Sequence, residues 1–294
     1  MPKMIDASCD TTNNIEAMKE AGVTHIGRYY NNGNSAKCLI KVEAEALTAA
    51  GLQIVVVFQK AQDNVSCFNA SEGTNAAYQA LLCAAKVQQP LGSVIYFAVD
   101  FDATTEQVDN EITAYFTSVN KVLKGKFEVG VYGSGLVCSS LYEVGLCKHR
   151  WLSSSTGYRG TKDAIKNNAY DIQQLTLSGT KKEEESDRVK GATEIYHVSS
   201  DKVGNMLVDY NVLGVVGAFG LSSDRPYYDV QQYKVNVCSR LMVRKEPSLS
   251  SLVIAKLSAG QIVSGQSASD GWNYIETKAG EVGYASAKYL DPIK

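Results

Sequence analysis

The chain has 294 residues, enough for one large domain with a small one or for two of medium size. Hydrophobic residues make up 45% and charged residues 20%, the balance of an ordinary globular protein, which excludes a disordered or fibrous chain. A net charge of −2 gives no electrostatic reason to expect nucleic acid or anionic lipid as partner, and no apolar run approaches the roughly 18 residues that span a bilayer.

Short β-rich apolar runs alternate with helical patterns through the first three quarters of the chain. The predicted strands are residues 3–8, 25–30, 53–59, 93–100, 127–133, 149–154, 170–175 and 205–211. Several of the helical stretches between them end at Gly22, Gly51 and Gly125, where glycine takes the left-handed C-cap conformation. Eight strands, mostly with intervening helices, over about 220 residues predict an α/β fold, a (β/α)8 TIM-type barrel. A doubly wound open sheet is the alternative, but its G-x-G-x-x-G after the first strand is missing. The helical pattern between strands six and seven is weak. The mixed charge run at 179–192 reads as a solvated excursion or a surface helix.

From about Tyr233 the texture changes to short strands separated by Gly, Ser and Asp turns, which predicts a compact all-β barrel of about 60 residues. The expected division is therefore 1–225 for the large barrel, 226–235 for a linker and 236–294 for the small one. The tail resembles bacterial SH3 domains through Leu241-Met242-Val243-Arg244 with Pro247, Leu257-x-x-Gly260, Asp270-Gly271-Trp272, and Gly283-Tyr284-x-Ser286 leading to Tyr289-Leu290. The resemblance implies a small SH3-like barrel that binds cell-wall peptide or glycan, with packing or partner docking as the alternative.

The seven cysteines are an odd number, contain no C-x-x-C pair and mostly sit in apolar company, so they are expected to be reduced and buried. The opening MPKMIDASCD lacks the charged-then-apolar pattern of a secretory signal, so synthesis in the cytoplasm without Sec export is expected. Tyrosine outnumbers phenylalanine 17 to 7, and such amphipathic rings suit surfaces on which sugars stack, although many would serve as half-buried barrel residues.

The chemistry concentrates at predicted strand ends. The fourth strand runs Ile95-Tyr96-Phe97-Ala98-Val99 into Asp100-Phe101-Asp102, and ionised carboxylates are costly to place beside buried β-formers. Residues i and i+2 share one face of a strand, so Asp100 and Asp102 are expected to point together into the C-terminal mouth. Two close carboxylates divide into one protonated acid and one ionised partner, the division that glycosidic cleavage needs. The pair alone is equally compatible with a metal site or with capping the helix that begins at Thr104-Thr105-Glu106. Asp6 ends the first strand, and Asp209 lies at the end of the eighth, which would gather four carboxylates around one mouth. The second strand adds Arg28, Tyr29 and Tyr30, the third Gln59, the fifth Tyr132 and the sixth Trp151. With Gln173 and Asn211, the residues Arg28, Tyr30, Gln59, Tyr132 and Trp151 are the expected contacts to an uncharged polyhydroxylated ligand. His25, His149 and His197 show no metal-ligand spacing, and neither a metal nor another cofactor is expected.

Residues 1 to about 225 resemble the glycoside-hydrolase-like domain of unknown function 1906, itself similar to the family 25 lysozymes. The resemblance is carried by Ile5-Asp6, Gly27-Arg28-Tyr29-Tyr30, Ile95 through Asp102, Val131-Tyr132-Gly133 and Asp209-x-Asn211. It implies hydrolysis of the β-1,4 glycan of peptidoglycan. Asp102 would be the proton donor, Asp100 and Asp6 would stabilise positive charge, and Asp209 would position substrate or tune the acid. In family 25 lysozymes the donor is the Glu of an Asp-x-Glu, and Asp102 takes that place here. Its carboxyl group sits back by roughly 1.5 Å, one C–C bond.

Two other readings follow. The Glu-to-Asp change suits a glycan-binding or adaptor protein on an idle barrel. The SH3-like tail also accompanies Cys-dependent peptidases, for which Cys9 near the first strand end would need a histidine partner. A wall hydrolase without a Sec signal implies delivery by lysis or by a dedicated secretion machine, as for an antibacterial effector. An inhibitory immunity protein would then be its partner.

Overall fold

The computed structural model describes residues 3–30, 36–175, 202–214 and 217–293. Seven strands follow one another in parallel: β1 (Met4–Asp6), β2 (His25–Tyr30), β3 (Gln53–Phe58), β4 (Val94–Ala98), β5 (Glu128–Gly133), β6 (His149–Leu152) and β7 (Ile172–Gln174). A small hairpin, β8 (Lys202–Val203) and β9 (Met206–Leu207), precedes β10 (Asp209–Leu213). The barrel closes in the order β1-β10-β7-β6-β5-β4-β3-β2.

The eighth barrel strand departs from the expected all-parallel barrel, because β10 runs antiparallel to both β1 and β7. Parallel neighbours require a crossover to the far end of the sheet, whereas antiparallel neighbours can be joined at one end. The chain leaving β7 therefore re-enters the barrel at the same mouth, and Asp209 begins its strand where the sequence pattern suggests it ends one. The charge run at 179–192 lies outside the described residues.

Helices α1 (Ile15–Glu20), α2 (Lys41–Ala49), α3 (Ala70–Val87), α5 (Thr113–Leu123), α6 (Gly135–Glu143) and α7 (Thr161–Lys166) pack around the outside, with a short α4 (Thr105–Gln107) and a π turn (Val108–Ile112) leading into α5. Gly22, Gly51 and Gly125 have positive φ just past α1, α2 and α5, as their positions predict. The outward faces of the strands and the helices share one apolar layer, including Ile26, Ile54, Phe58, Ile95 and Phe97. The inward faces form a second, smaller cluster of Met4, Val55, Val57, Val94, Tyr96, Ala98, Trp151 and Ile172. Two glycines make room for its large rings. A Cβ at Gly27 would lie 2.6 Å from the Asp6 Cβ and 2.8 Å from the Trp151 ring, and one at Gly130 would lie 2.5 Å from the Tyr96 ring.

The C-terminal part is a seven-stranded antiparallel sheet: β11 (Gln231–Val235), β12 (Arg240–Arg244), β13 (Val253–Ser258), β14 (Ile262–Ser269), β15 (Trp272–Glu276), β16 (Val282–Ser286) and β17 (Leu290–Pro292). It begins with Gln231–Val235, inside the stretch the sequence suggests as linker. These residues pair with both β14 and β17 and so belong to the sheet. Val235, Leu241, Val243, Leu257, Val263, Ile275, Ala285 and Leu290 form its own core.

This sheet packs on α3. Tyr78 stacks on Tyr274 with ring centroids 5.2 Å apart and donates to the Ala268 carbonyl at 2.8 Å. Tyr284 donates to Asn75 at 2.8 Å, while Lys86 pairs with Glu276 at 2.6 Å and Lys245 with Glu72 at 3.1 Å. Exposed ion pairs contribute little, so the tyrosines carry this contact. Replacing Tyr78 by Ala is expected to cost about 3–5 kcal/mol and to separate the unfolding of sheet and barrel. The two tryptophans, Trp151 in the barrel and Trp272 in the sheet, report this in urea titrations of single-tryptophan variants.

Candidate active site at the barrel mouth

The mouth holds a cavity of about 250 Å³. Asp6 from β1, Asp100 just beyond β4 and Asp209 at the start of β10 supply three carboxylates. Tyr29, Tyr132 and Trp151 supply aromatic faces, and Gln59 and Gln174 supply amides. Lys37 and Val57 complete the lining, the Lys37 ammonium lying 5.3 Å from the centre of the Tyr29 ring.

Asp6 is the centre of the polar network. Its side chain is buried, and Asp6 and Asp209 are directly opposed across the β1–β10 pair. The Asn211 amide donates to Asp6 Oδ2 at 2.8 Å, and the Gln174 amide to the same oxygen at 3.3 Å. Tyr29 donates to Oδ1 at 3.3 Å. The Gln174 nitrogen also lies 3.3 Å from Asp209 Oδ2. The orientations of both amides are set from behind, since the Tyr132 hydroxyl donates to Gln174 Oε1 at 2.9 Å and the Trp151 indole N–H to Asn211 Oδ1 at 2.8 Å. On the wall formed by β3 and β4, Gln59 donates to Asp100 Oδ2 at 2.9 Å.

Burial, and then the neighbouring charge of Asp209, push the Asp6 carboxyl from 3.8 up to about 7, against the opposing pull of its three donors. Partial burial raises Asp209 as well. Burial pushes the Tyr29 and Tyr132 phenols above their ordinary range, followed by Asp6 and Asp209 for Tyr29 and by Asp100 for Tyr132. Both phenols are therefore neutral donors at all physiological pH values.

Four residues suggested by the sequence lie elsewhere. Asp102 does not line the cavity: Oδ1 accepts from the Arg159 backbone N–H at 2.7 Å and Oδ2 from the Arg159 guanidinium at 2.6 Å. The rule that i and i+2 share a face fails here because β4 ends at Ala98, leaving Asp100 and Asp102 in a loop. Thr104 caps the next helix through a capping box with Gln107, so the cap suggested for the Asp100–Asp102 pair is supplied by Thr104 instead. Arg28 and Tyr30 lie on the outward face of β2 and are fully buried. Arg28 forks onto Glu43 at 2.8 and 3.1 Å and donates to the Ala7 carbonyl, and Tyr30 donates to Gln89 at 2.7 Å. Gln173 likewise gives way to its neighbour Gln174.

Asp6, Asp100, Asp209, Gln59, Tyr132 and Trp151 line one cavity, with Asn211 directly behind it. Gln174, Lys37 and Val57 are additions that the sequence pattern does not single out. Period-two alternation anchored on Gly27 selects Tyr29 over its two neighbours, because Gly27 packs on Asp6 and Trp151 inside the barrel. His25 and His149 open β2 and β6 at the opposite end, while His197 lies outside the described residues. Among the described residues the cavity lining contains neither Cys nor His, and no group of three or more potential metal ligands occurs. Cys38, Cys83, Cys138 and Cys147 are buried, Cys9 and Cys67 partly buried and Cys238 exposed.

A closed α/β barrel with carboxylates at the mouth where its parallel strands end has the architecture of the barrel enzymes. The sequence pattern of the Rv2525c-like, glycoside hydrolase-like domain matches residues 16–213, and the chain belongs to that family. It is 32% identical over 174 residues to the protein YbfG of Bacillus subtilis (strain 168), a match that covers 52% of this chain and 24% of YbfG. It is 28% identical over 172 residues to FadG of the same organism, covering 54% of this chain and 30% of FadG. The matched region thus spans less than a third of either relative. The barrel is also similar to the Tat-secreted protein Rv2525c of Mycobacterium tuberculosis in complex with L-tartrate, with a TM-score of 0.57 and 21% identity over 74% of this chain and 98% of that one. Among the described residues no helix is long and apolar enough to cross a membrane.

Two stability measurements test these assignments. Glu43 pairs with Arg28 and also accepts from the Thr11 backbone N–H and hydroxyl, so Glu43→Gln strands a buried guanidinium. A loss of about 3–5 kcal/mol in urea unfolding is expected. Asp6 is a carboxyl raised in the folded state from 3.8 to about 7. Its contribution is fully present below the unfolded value and is lost as pH rises through the folded one. Stability is therefore expected to fall by an amount on the order of 4 kcal/mol between pH 4 and pH 7, and Asp6→Asn to flatten that fall.

Proposed function

We propose that this protein is a peptidoglycan-directed glycoside hydrolase that cleaves its glycan by carboxylate acid–base chemistry at the barrel mouth. The observation that carries the reading is the meeting of Asp6, Asp100 and Asp209 in one cavity with three aromatic faces and two amides. Glycosidic cleavage needs a protonated carboxyl beside the leaving oxygen and an ionised one to activate water or support the charge on the sugar. The Asp6 carboxyl, pushed up to about 7, supports the first requirement at neutral pH, and burial shifts Asp209 in the same direction. The aromatic rings suit the apolar faces of a pyranose, and the amides suit its hydroxyls. Membership of a glycoside hydrolase-like family supports the same chemistry. On this reading the C-terminal sheet is an SH3-type wall-binding module and the place of action is the cell wall, as for a delivered antibacterial effector.

One observation favours a second reading, a glycan-binding protein without turnover. The carboxylate at the position of the lysozyme acid, Asp102, is bound to Arg159 outside the cavity. Incubation with purified sacculi separates the two. A hydrolase releases new reducing ends, and Asp100→Asn is expected to lower the rate by about 10²–10⁴-fold. Saturable sedimentation with sacculi and no released fragments supports the binder instead. Thiol alkylation is expected to leave release unchanged, as the cavity lining holds no cysteine among the described residues.

A further inference from the structure

The donor of the proton is the open question within the hydrolase reading, on which this inference rests. We propose that Asp6 and Asp209 hold one proton between them as a pair, that Asp209 delivers it to the leaving oxygen, and that Asp102 is a structural pin of the rim.

Asp102 is committed elsewhere. Both carboxylate oxygens and its main-chain carbonyl accept from Arg159, the carbonyl at 3.0 Å. Arg159 is itself fastened, because its carbonyl accepts from Leu136 N–H in the first turn of α6 at 2.9 Å. The pin thus joins the loop after β4 to the loop before α7, and turning the Asp102 side chain into the cavity would break both contacts that its carboxylate makes.

The pair is set by the direction of β10. Running antiparallel, that strand brings its first residue opposite the last residue of β1. A single Gln174 amide nitrogen then lies 3.3 Å from an oxygen of each carboxylate. One amide offers two protons to two groups that repel each other when both are ionised, so a proton held on one of them removes the conflict. Asp6 lies buried on the floor, whereas Asp209 is exposed at the rim. The groups facing the pair are Tyr29 from β2, Gln174 from β7 and Asn211 from β10, with Lys37 and Asp100 the other charges lining the cavity.

The barrel order supplies the partner. Counting around the ring in either direction, β4 is the strand opposite β10, so Asp100 stands on the wall facing Asp209 with the cavity between them. In the step, the Asp209 carboxyl proton moves to the glycosidic oxygen as the bond from that oxygen to the anomeric carbon breaks, its electron pair staying on the oxygen. Water adds to the anomeric carbon and gives its proton to Asp100. Solvent returns that proton to the pair, which closes the balance.

The pair is tested without substrate by carboxyl-carbon NMR of protein labelled at the aspartate side chains. Asp6 and Asp209 are expected to titrate in two linked steps, and Asp209→Asn to move the Asp6 midpoint down. Asp102→Asn is expected to leave both midpoints in place. Independent titration, with Asp6 unmoved by Asp209→Asn, overturns the pair. The donor role is read from the pH profile of reducing-end release from sacculi. The expected profile falls on the alkaline side as the pair loses its proton. Asp209→Asn should remove that limb and about a hundredfold of the rate, Asp209→Glu should recover part of it, and Asp102→Asn should keep the limb where it is. Loss of the limb in Asp102→Asn but not in Asp209→Asn overturns the assignment. Sacculi left intact by the wild type overturn the hydrolase reading and the donor role with it, while the NMR titration still decides the pair.

Discussion

The mouth of this barrel is organised by one reversal of chain direction, the antiparallel insertion of β10 between β1 and β7. In an all-parallel barrel, a residue at the start of a strand faces the end away from the chemistry. Here the start of β10 faces the mouth, so Asp209 meets Asp6, and Asn211, two residues further down the same face, reaches the Asp6 carboxylate from below. The same reversal dispenses with a crossover between β7 and β10. The hydrogen bonds that orient Gln174 and Asn211 then come from the parallel strands β5 and β6, through Tyr132 and Trp151. The site is therefore a junction between the regular part of the barrel and its one irregular strand.

Much of this was legible in the sequence, and the parts that were not share a physical cause. Apolar runs mark where strands occur, and all eight barrel strands overlap predicted ones. The runs do not state which face turns inward when both faces are buried, because apolar residues then appear at every position. Arg28, Tyr29 and Tyr30 show the consequence. All three look suited to a ligand, yet only Tyr29 faces the cavity, and the outward pair find Glu43 and Gln89 beneath the helical layer. Gln173 and Gln174 differ in the same way, by one residue. Asp102 fails for another reason: the backbone stops being a strand at Ala98, four residues before it, so strand periodicity does not reach that far. The direction of β10 leaves no mark in the residue pattern, since a strand and its reverse have the same alternation.

The outer wall shows how a charged group becomes structural. The Arg28 guanidinium is wholly enclosed, and among the described residues it donates to full or partial negative charges, both oxygens of Glu43 and the Ala7 carbonyl. Glu43 in turn receives the Thr11 N–H and hydroxyl. This group ties β2, α2 and the loop leaving β1 into one unit directly behind Asp6. The C-terminal sheet adds a comparable constraint on the far side of α3 through Tyr78, Tyr274 and Tyr284.

Rigid backing of this kind matters because the floor of the mouth is intrinsically unfavourable. Burying an aspartate next to another aspartate disfavours the ionised form, and three hydrogen-bond donors reduce that cost without removing it. A flexible wall would relieve the strain by letting Asp6 turn to solvent or by admitting water between the two carboxylates. Trp151 closes one route, standing over Gly27 with its N–H committed to Asn211, and the absence of a side chain at Gly27 is what lets the ring stand there. A proton held near neutral pH is thus a property of the packing around Asp6 as much as of the carboxyl group itself. The residues that maintain it, Gly27 and Trp151, act through their fit to one another, so a change in the volume of either alters the proton affinity of the site without adding or removing an ionisable group.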